Sequence, residues 1–172
     1  MLACLASQTF SDVPHPRMAV IVVDNEGSRE NRQICREYRI SAFQSLTYVV
    51  EQQQGISHAR NACIDNLPDE TRFVAMVDDD ESPDSAWLNH LLLAQYSSGA
   101  DVVVGPTVPE FEENTASWIQ ETGYFAKPHN PHCFEDLQAD PPAAACNVLI
   151  NADIFTKLGL RFDPLLALSG GE

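Results

Sequence analysis

Five short apolar runs, at 18–23, 46–50, 73–77, 101–104 and 145–150, constrain this chain more than any other feature of it. Each is too short for a core helix and rich enough in Val, Ile, Leu and Met to be a strand buried on both faces. Between the first four lie segments with caps, helix formers and partly apolar faces, at 28–38, 57–66 and 85–96. Strand alternating with helix is the pattern of the α/β class, and the continuous apolar character of the runs predicts a mainly parallel sheet.

The rest of the chain is less regular. From 110 to 142 the pattern loosens into a loop-rich excursion with a helix near 114–125, and 151–158 reads as a short helix closed by Gly159. Glycine reaches the left-handed C-cap conformation at low cost. The opening residues, Leu2 to Ser7, read as a helix already under way. At 172 residues the chain has the length of one domain, without an internal repeat or linker.

Composition narrows the function. Lys and Arg number 10 against 25 Asp and Glu, a net charge of −15, and residues 61–172 carry nineteen of the acids with only four bases. That sign excludes nucleic acid as a partner and suits cations or neutral ligands. No apolar run approaches the roughly 20 residues of a membrane span, so no transmembrane segment is expected, and peripheral membrane association stays open. The five cysteines are scattered without a CxxC pair, which argues against a disulfide framework or structural zinc and for a reduced, cytoplasmic setting. His129, His132 and Cys133 match no standard zinc spacing.

In open parallel sheets ligands sit beyond the carboxyl ends of the strands. The first run ends in Asp24-Asn25-Glu26, and the third ends in Asp78-Asp79-Asp80-Glu81. Consecutive carboxylates repel one another, and a hard divalent cation such as Mg²⁺ or Mn²⁺ relieves this through oxygen ligands shared with substrate phosphate. The alternative is an acidic turn that caps the next helix through Asp84 or Ser85. No GxSxG, P-loop or GxGxxG is present, so hydrolase, kinase and dinucleotide readings lack a motif.

Four segments taken in order resemble the inverting nucleotide-sugar glycosyltransferases of family 2, which have the GT-A fold. They are Val20-Ile-Val-Val-Asp24-Asn25; Gly55-Ile-Ser-His-Ala59-Arg60-Asn61; Met76-Val-Asp78-Asp79-Asp80, similar to a DxD motif; and Asn147-Val-Leu-Ile-Asn followed by Leu160-Arg-Phe-Asp163-Pro164 and Ser169-Gly170-Gly171-Glu172. The resemblance implies one Rossmann-like domain whose nucleotide-binding part covers about 18–105 and whose acceptor side covers about 106–172. It also implies that the family's first strand is missing and that the domain is cut at both ends.

By the same resemblance Asp24 contacts the nucleobase, Arg60 and Asn61 lie near the nucleotide, and Asp78 faces the ribose or donor sugar. Asp80 holds Mn²⁺ or Mg²⁺ against the diphosphate, and Asp79 is structural. The partners implied are a nucleoside-diphosphate sugar and a carbohydrate or other hydroxyl acceptor. Such a transfer needs a carboxylate base opposite the leaving group. The family takes its base from a Glu-Asp pair; here Glu172 stands alone at the end of the sequence and is the candidate. Without that base the second reading is a non-catalytic nucleotide-binding remnant.

Overall fold

A computed structural model describes residues 1–38, 43–122 and 146–165. In chain order its elements are α1 (Leu2–Ala6), β1 (Ala19–Asp24), α2 (Arg29–Tyr38), β2 (Ser45–Val50), α3 (Ile56–Asp65), β3 (Phe73–Met76), α4 (Trp87–Ser98), β4 (Val102–Val104), α5 (Ser117–Glu121), β5 (Val148–Asn151) and α6 (Asp153–Thr156). Every apolar run forms a strand and the three intervening segments form helices, so the α/β class follows the alternation. Gly159 has φ +71° after α6, the left-handed conformation its position predicts.

The strands form two sheets. β1 and β2 pair in parallel with Ala19 opposite Ser45 and Asp24 opposite Val50. β3, β5 and β4 form the second sheet, with β5 in the middle and antiparallel to both neighbours. This antiparallel placement of β5 is what the apolar runs do not convey, because a strand buried on both faces reads the same in either direction. Alternation along β5 then divides the core. Val148 and Ile150 pack with Ile64, Val74, Met76 and Phe155 on one face, whereas Leu149 meets Val13, Leu91 and Leu92 on the other.

Between the sheets, β1 and β3 each keep one edge without a strand partner among the described residues. The edges border a cleft of about 1490 Å³, lined by β1, β3 and residues of α1, α3 and α4. Arg17, just before β1, pairs with Glu70, just before β3, at 2.8 Å, so the amino ends of the two strands lie on the same side. The open edge of β1 is visible in burial: Val20 to Val23 are only partly buried, whereas the three apolar residues of β5 are buried.

No helix among the described residues is long and apolar enough to cross a membrane.

Candidate functional site

β1 delivers Asp24 to its carboxyl end, where the chain turns into α2. Asp24 as a whole is 6% exposed, and its carboxylate accepts five hydrogen bonds. Oδ1 takes the Glu26 and Gly27 amides at 2.7 and 2.9 Å. Oδ2 takes the Ser28 amide at 3.0 Å, Asn31 Nδ2 at 3.1 Å and the Tyr48 hydroxyl at 2.6 Å. Burial by itself would raise the Asp24 pKa, but the bonds from Tyr48, Asn31 and the loop amides outweigh it and hold the carboxyl far below its usual 3.8. Burial and the Asp24 carboxylate push the Tyr48 phenol up in turn. Gly27 sits at φ +70°, a conformation that lets the loop fold back over the carboxylate. Asn25 ties this loop to the one after β2, donating to the Glu51 and Gln53 carbonyls at 2.9 Å each.

β3 delivers the second acidic cluster. The Glu81 amide donates to the Asp78 carbonyl, and the Asp78 amide donates to Glu81 Oε2, both at 3.2 Å, which closes residues 78–81 into a tight turn. Asp78 is half-buried while Asp79 and Asp80 are exposed. Asp78, Asp79 and Asp80 line the cleft together with Asp24 and Arg60. Arg60 approaches Asp78 Oδ1 at 3.4 Å and lies over the Phe162 ring, 5.7 Å from its centroid. Asp84 accepts from the Ala86 amide at 2.8 Å, but Ala86 is itself the N-cap of α4 and no side chain caps that helix, so neither Asp84 nor Ser85 takes the capping role that the sequence offered them.

Two residues just before β5 join this site, Cys146 and Asn147, the second of which opens the fourth resembling segment. Cys146 lies against the turn: burial first, then the hydrogen bond and charge of Glu81, and the charge of Asp78, push its thiol up to about 11. Asn147 accepts from Trp87 Nε1 at 2.8 Å and donates to the Pro106 carbonyl at 2.7 Å, fixing the end of β4 beside the site. Only the β3–β5 pairing brings residues 146–147 next to 78–81, and pairing partners are not written in either strand.

Asn61 is not among the residues that line the cleft. Its amide exchanges two hydrogen bonds with the Phe162 backbone, Nδ2 to the carbonyl at 2.8 Å and the Phe162 amide to Oδ1 at 2.9 Å. Glu172, His129, His132 and Cys133 lie outside the described residues. Among the described residues no three His, Cys, Asp or Glu side chains converge into a ready metal cage.

The model of "Glycosyl transferase family 2" matches residues 1–159. The succinoglycan biosynthesis protein ExoM of Rhizobium meliloti is 31% identical over 169 residues, which are 98% of this chain and 53% of that protein. The glycosyltransferase AglE of Haloferax volcanii is 31% identical over 170 residues, again 98% of this chain and 53% of the other. The chain thus spans about half the length of these curated relatives, and no solved structure matches it. With the family model matching residues 1–159, nearly the whole sequence, the chain belongs to glycosyl transferase family 2.

Proposed function

We propose that this chain binds a nucleoside-diphosphate sugar at the carboxyl ends of β1 and β3 and transfers the sugar, with inversion, to a carbohydrate or other hydroxyl acceptor. The observation that carries the reading is the 78–81 turn, with a half-buried Asp78 beside the Arg60 guanidinium and exposed carboxylates at Asp79 and Asp80, open to the cleft that Asp24 also lines. Family membership supports it, and so does the −15 charge, which concentrates cations rather than nucleic acid.

In this reading Asp78 meets the ribose or donor sugar, while Arg60, already opposite that carboxylate, offsets its charge as the anionic donor arrives. Asp24 reads the base. Because its two oxygens already hold five donors, a ring N–H can be accepted only in exchange for one of them, and Tyr48 or Asn31 is the side chain to yield. A divalent ion fits the donor set here: Asp80 supplies an exposed carboxylate and Asp78 a second, and hard ions of this kind complete their shell with phosphate and water rather than with a protein cage. When bound, Mn²⁺ or Mg²⁺ supplies charge stabilisation to the leaving diphosphate. Proton removal from the acceptor hydroxyl falls to a carboxylate of the segment ending in Glu172.

Calorimetry with UDP, GDP and dTDP in Mn²⁺, and again in EDTA, tests the proposal. A charge-assisted contact contributes about 1.5–3 kcal/mol, so Asp80→Ala or EDTA should weaken binding roughly tenfold or more. Equal affinity in metal and EDTA would remove the cation from the site.

A further inference from the structure

One face of helix α3 serves two neighbours. Arg60 reaches the donor-side Asp78, whereas Ser57 and Asn61, one turn of helix apart, reach the segment that follows α6. Ser57 Oγ donates to the Asp163 carbonyl at 3.0 Å. Asn61 completes both hydrogen bonds of the Phe162 backbone, at 2.8 and 2.9 Å, in the manner of an adjacent strand. The Phe162 ring lies under the Arg60 guanidinium, and Arg161 pairs with Asp65 at 3.0 Å at the last residue of the helix. Residues 57, 60, 61 and 65 follow the spacing of one helical face. Segment 160–165, with no helix or strand from Leu160 to Asp163, is therefore tied to α3 along its length. It also leads directly into the residues that end in Glu172.

An amide side chain has a carbonyl acceptor and two N–H donors, and Asn61 engages the carbonyl and one N–H with Phe162. It is partly buried, as are the atoms it holds, so surrendering them to a ligand would leave a backbone amide and carbonyl unpaired. We propose that Asn61 is a positioning residue rather than a donor contact: with Ser57 it pins the Phe162–Asp163 backbone to α3 and so fixes the acceptor-side segment relative to Asp78, which the adjacent Arg60 holds. This inference rests on the glycosyltransferase reading for its functional consequence and on geometry alone for the clamp.

Two measurements on the full chain separate the roles. In amide exchange followed by NMR, Asn61→Ala should speed exchange at Phe162 about tenfold or more, with residues 148–151 unchanged. Ser57→Ala, the milder variant, should speed exchange across 162–165 by a smaller factor. In calorimetry with UDP, GDP and dTDP plus Mn²⁺, Asn61→Asp is the informative change, because it introduces a negative charge at nearly constant shape. A side chain that touches the diphosphate would then lose tenfold or more in affinity, whereas a clamp leaves affinity within about threefold. Unchanged exchange at Phe162 in Asn61→Ala, or a tenfold affinity loss in Asn61→Asp, overturns the proposal. If the unmodified chain binds none of the nucleotides, the proposed function fails, and the exchange measurement still decides the clamp.

Discussion

Asp24 shows what a single residue discloses and what it withholds. An acid at the end of an apolar strand is legible in the sequence as a ligand-edge residue. Its five donors are not, because Tyr48 arrives through the β1–β2 register and Asn31 through a turn of α2. The same blindness hides the commitment of Asn61, whose partner is 101 positions away. The engaged carboxylate makes a pH prediction. In the unfolded chain Asp24 titrates near 3.8, and in the fold its pKa is lowered, so the unfolded state takes up the proton first as pH falls. The stability contributed by this group is present above the unfolded value and is lost progressively below it. Asp24→Asn, which puts an N–H among five donors, should cost about 2 kcal/mol at pH 7 and flatten the fall in stability between about pH 5 and 3. Urea unfolding at stepped pH measures both, and an unchanged slope would show that the carboxylate is not held as described. The same variant should weaken nucleoside diphosphate binding, with calorimetry as the check.

At the level of elements, strands and helices follow the sequence to within a few residues because hydrophobic period and punctuation coincide: Gly55 opens α3, and Gly99, at φ +69°, ends α4. What the sequence leaves open is who pairs with whom. The junction of β4 with β5 illustrates the cost. At Gly105 an added Cβ would lie 2.5 Å from Asn147 Oδ1 and 2.6 Å from Nδ2, closer than such atoms approach. Asn147 cannot withdraw freely, since it holds Trp87 and the Pro106 carbonyl while its own carbonyl accepts the Gly105 amide at 2.9 Å. Gly105→Ala should therefore destabilise the chain by about 1–3 kcal/mol, the range for overpacking a tight site. Asn147→Ala should also destabilise by freeing the Trp87 N–H. The two together should lose less than the sum, because the clash and the hydrogen bond share one side chain. Strict additivity in denaturant unfolding would mean that the loop relaxes away from Asn147 without cost.

For the molecule as a whole, the cleft between the sheets sets the distribution of stability. β5 is hydrogen-bonded along both edges, whereas β1 and β3 pair on one edge each among the described residues. In a one-sided parallel ladder alternate amides point away from the partner, so half of those in β1 face the cleft. The β1 side chains reflect this, with Val20 to Val23 partly exposed although no run in the chain is more apolar. The sheet order that creates the cleft is a property of the assembled fold, which no single run discloses. Helices α1, α3 and α4 cover the cleft in part, and the exposed ion pair Arg17–Glu70 spans its amino end while contributing no more than about 1 kcal/mol. Local opening free energies should accordingly rise from β1 to β5. Native-state amide exchange read by NMR should find the slowest amides at 148–151, alternating fast and slow amides along 19–24, and an intermediate set at 73–76. Uniform slow exchange through β1 would mean that its second edge is occupied in solution and would overturn the open-cleft account. Because Asp24 and Asp78 stand at the carboxyl ends of these half-paired strands, nucleoside diphosphate with Mn²⁺ should slow the fast β1 amides toward the rate of their neighbours. Ligand held at the strand ends but not linked to them would protect only residues 24–28 and 78–81.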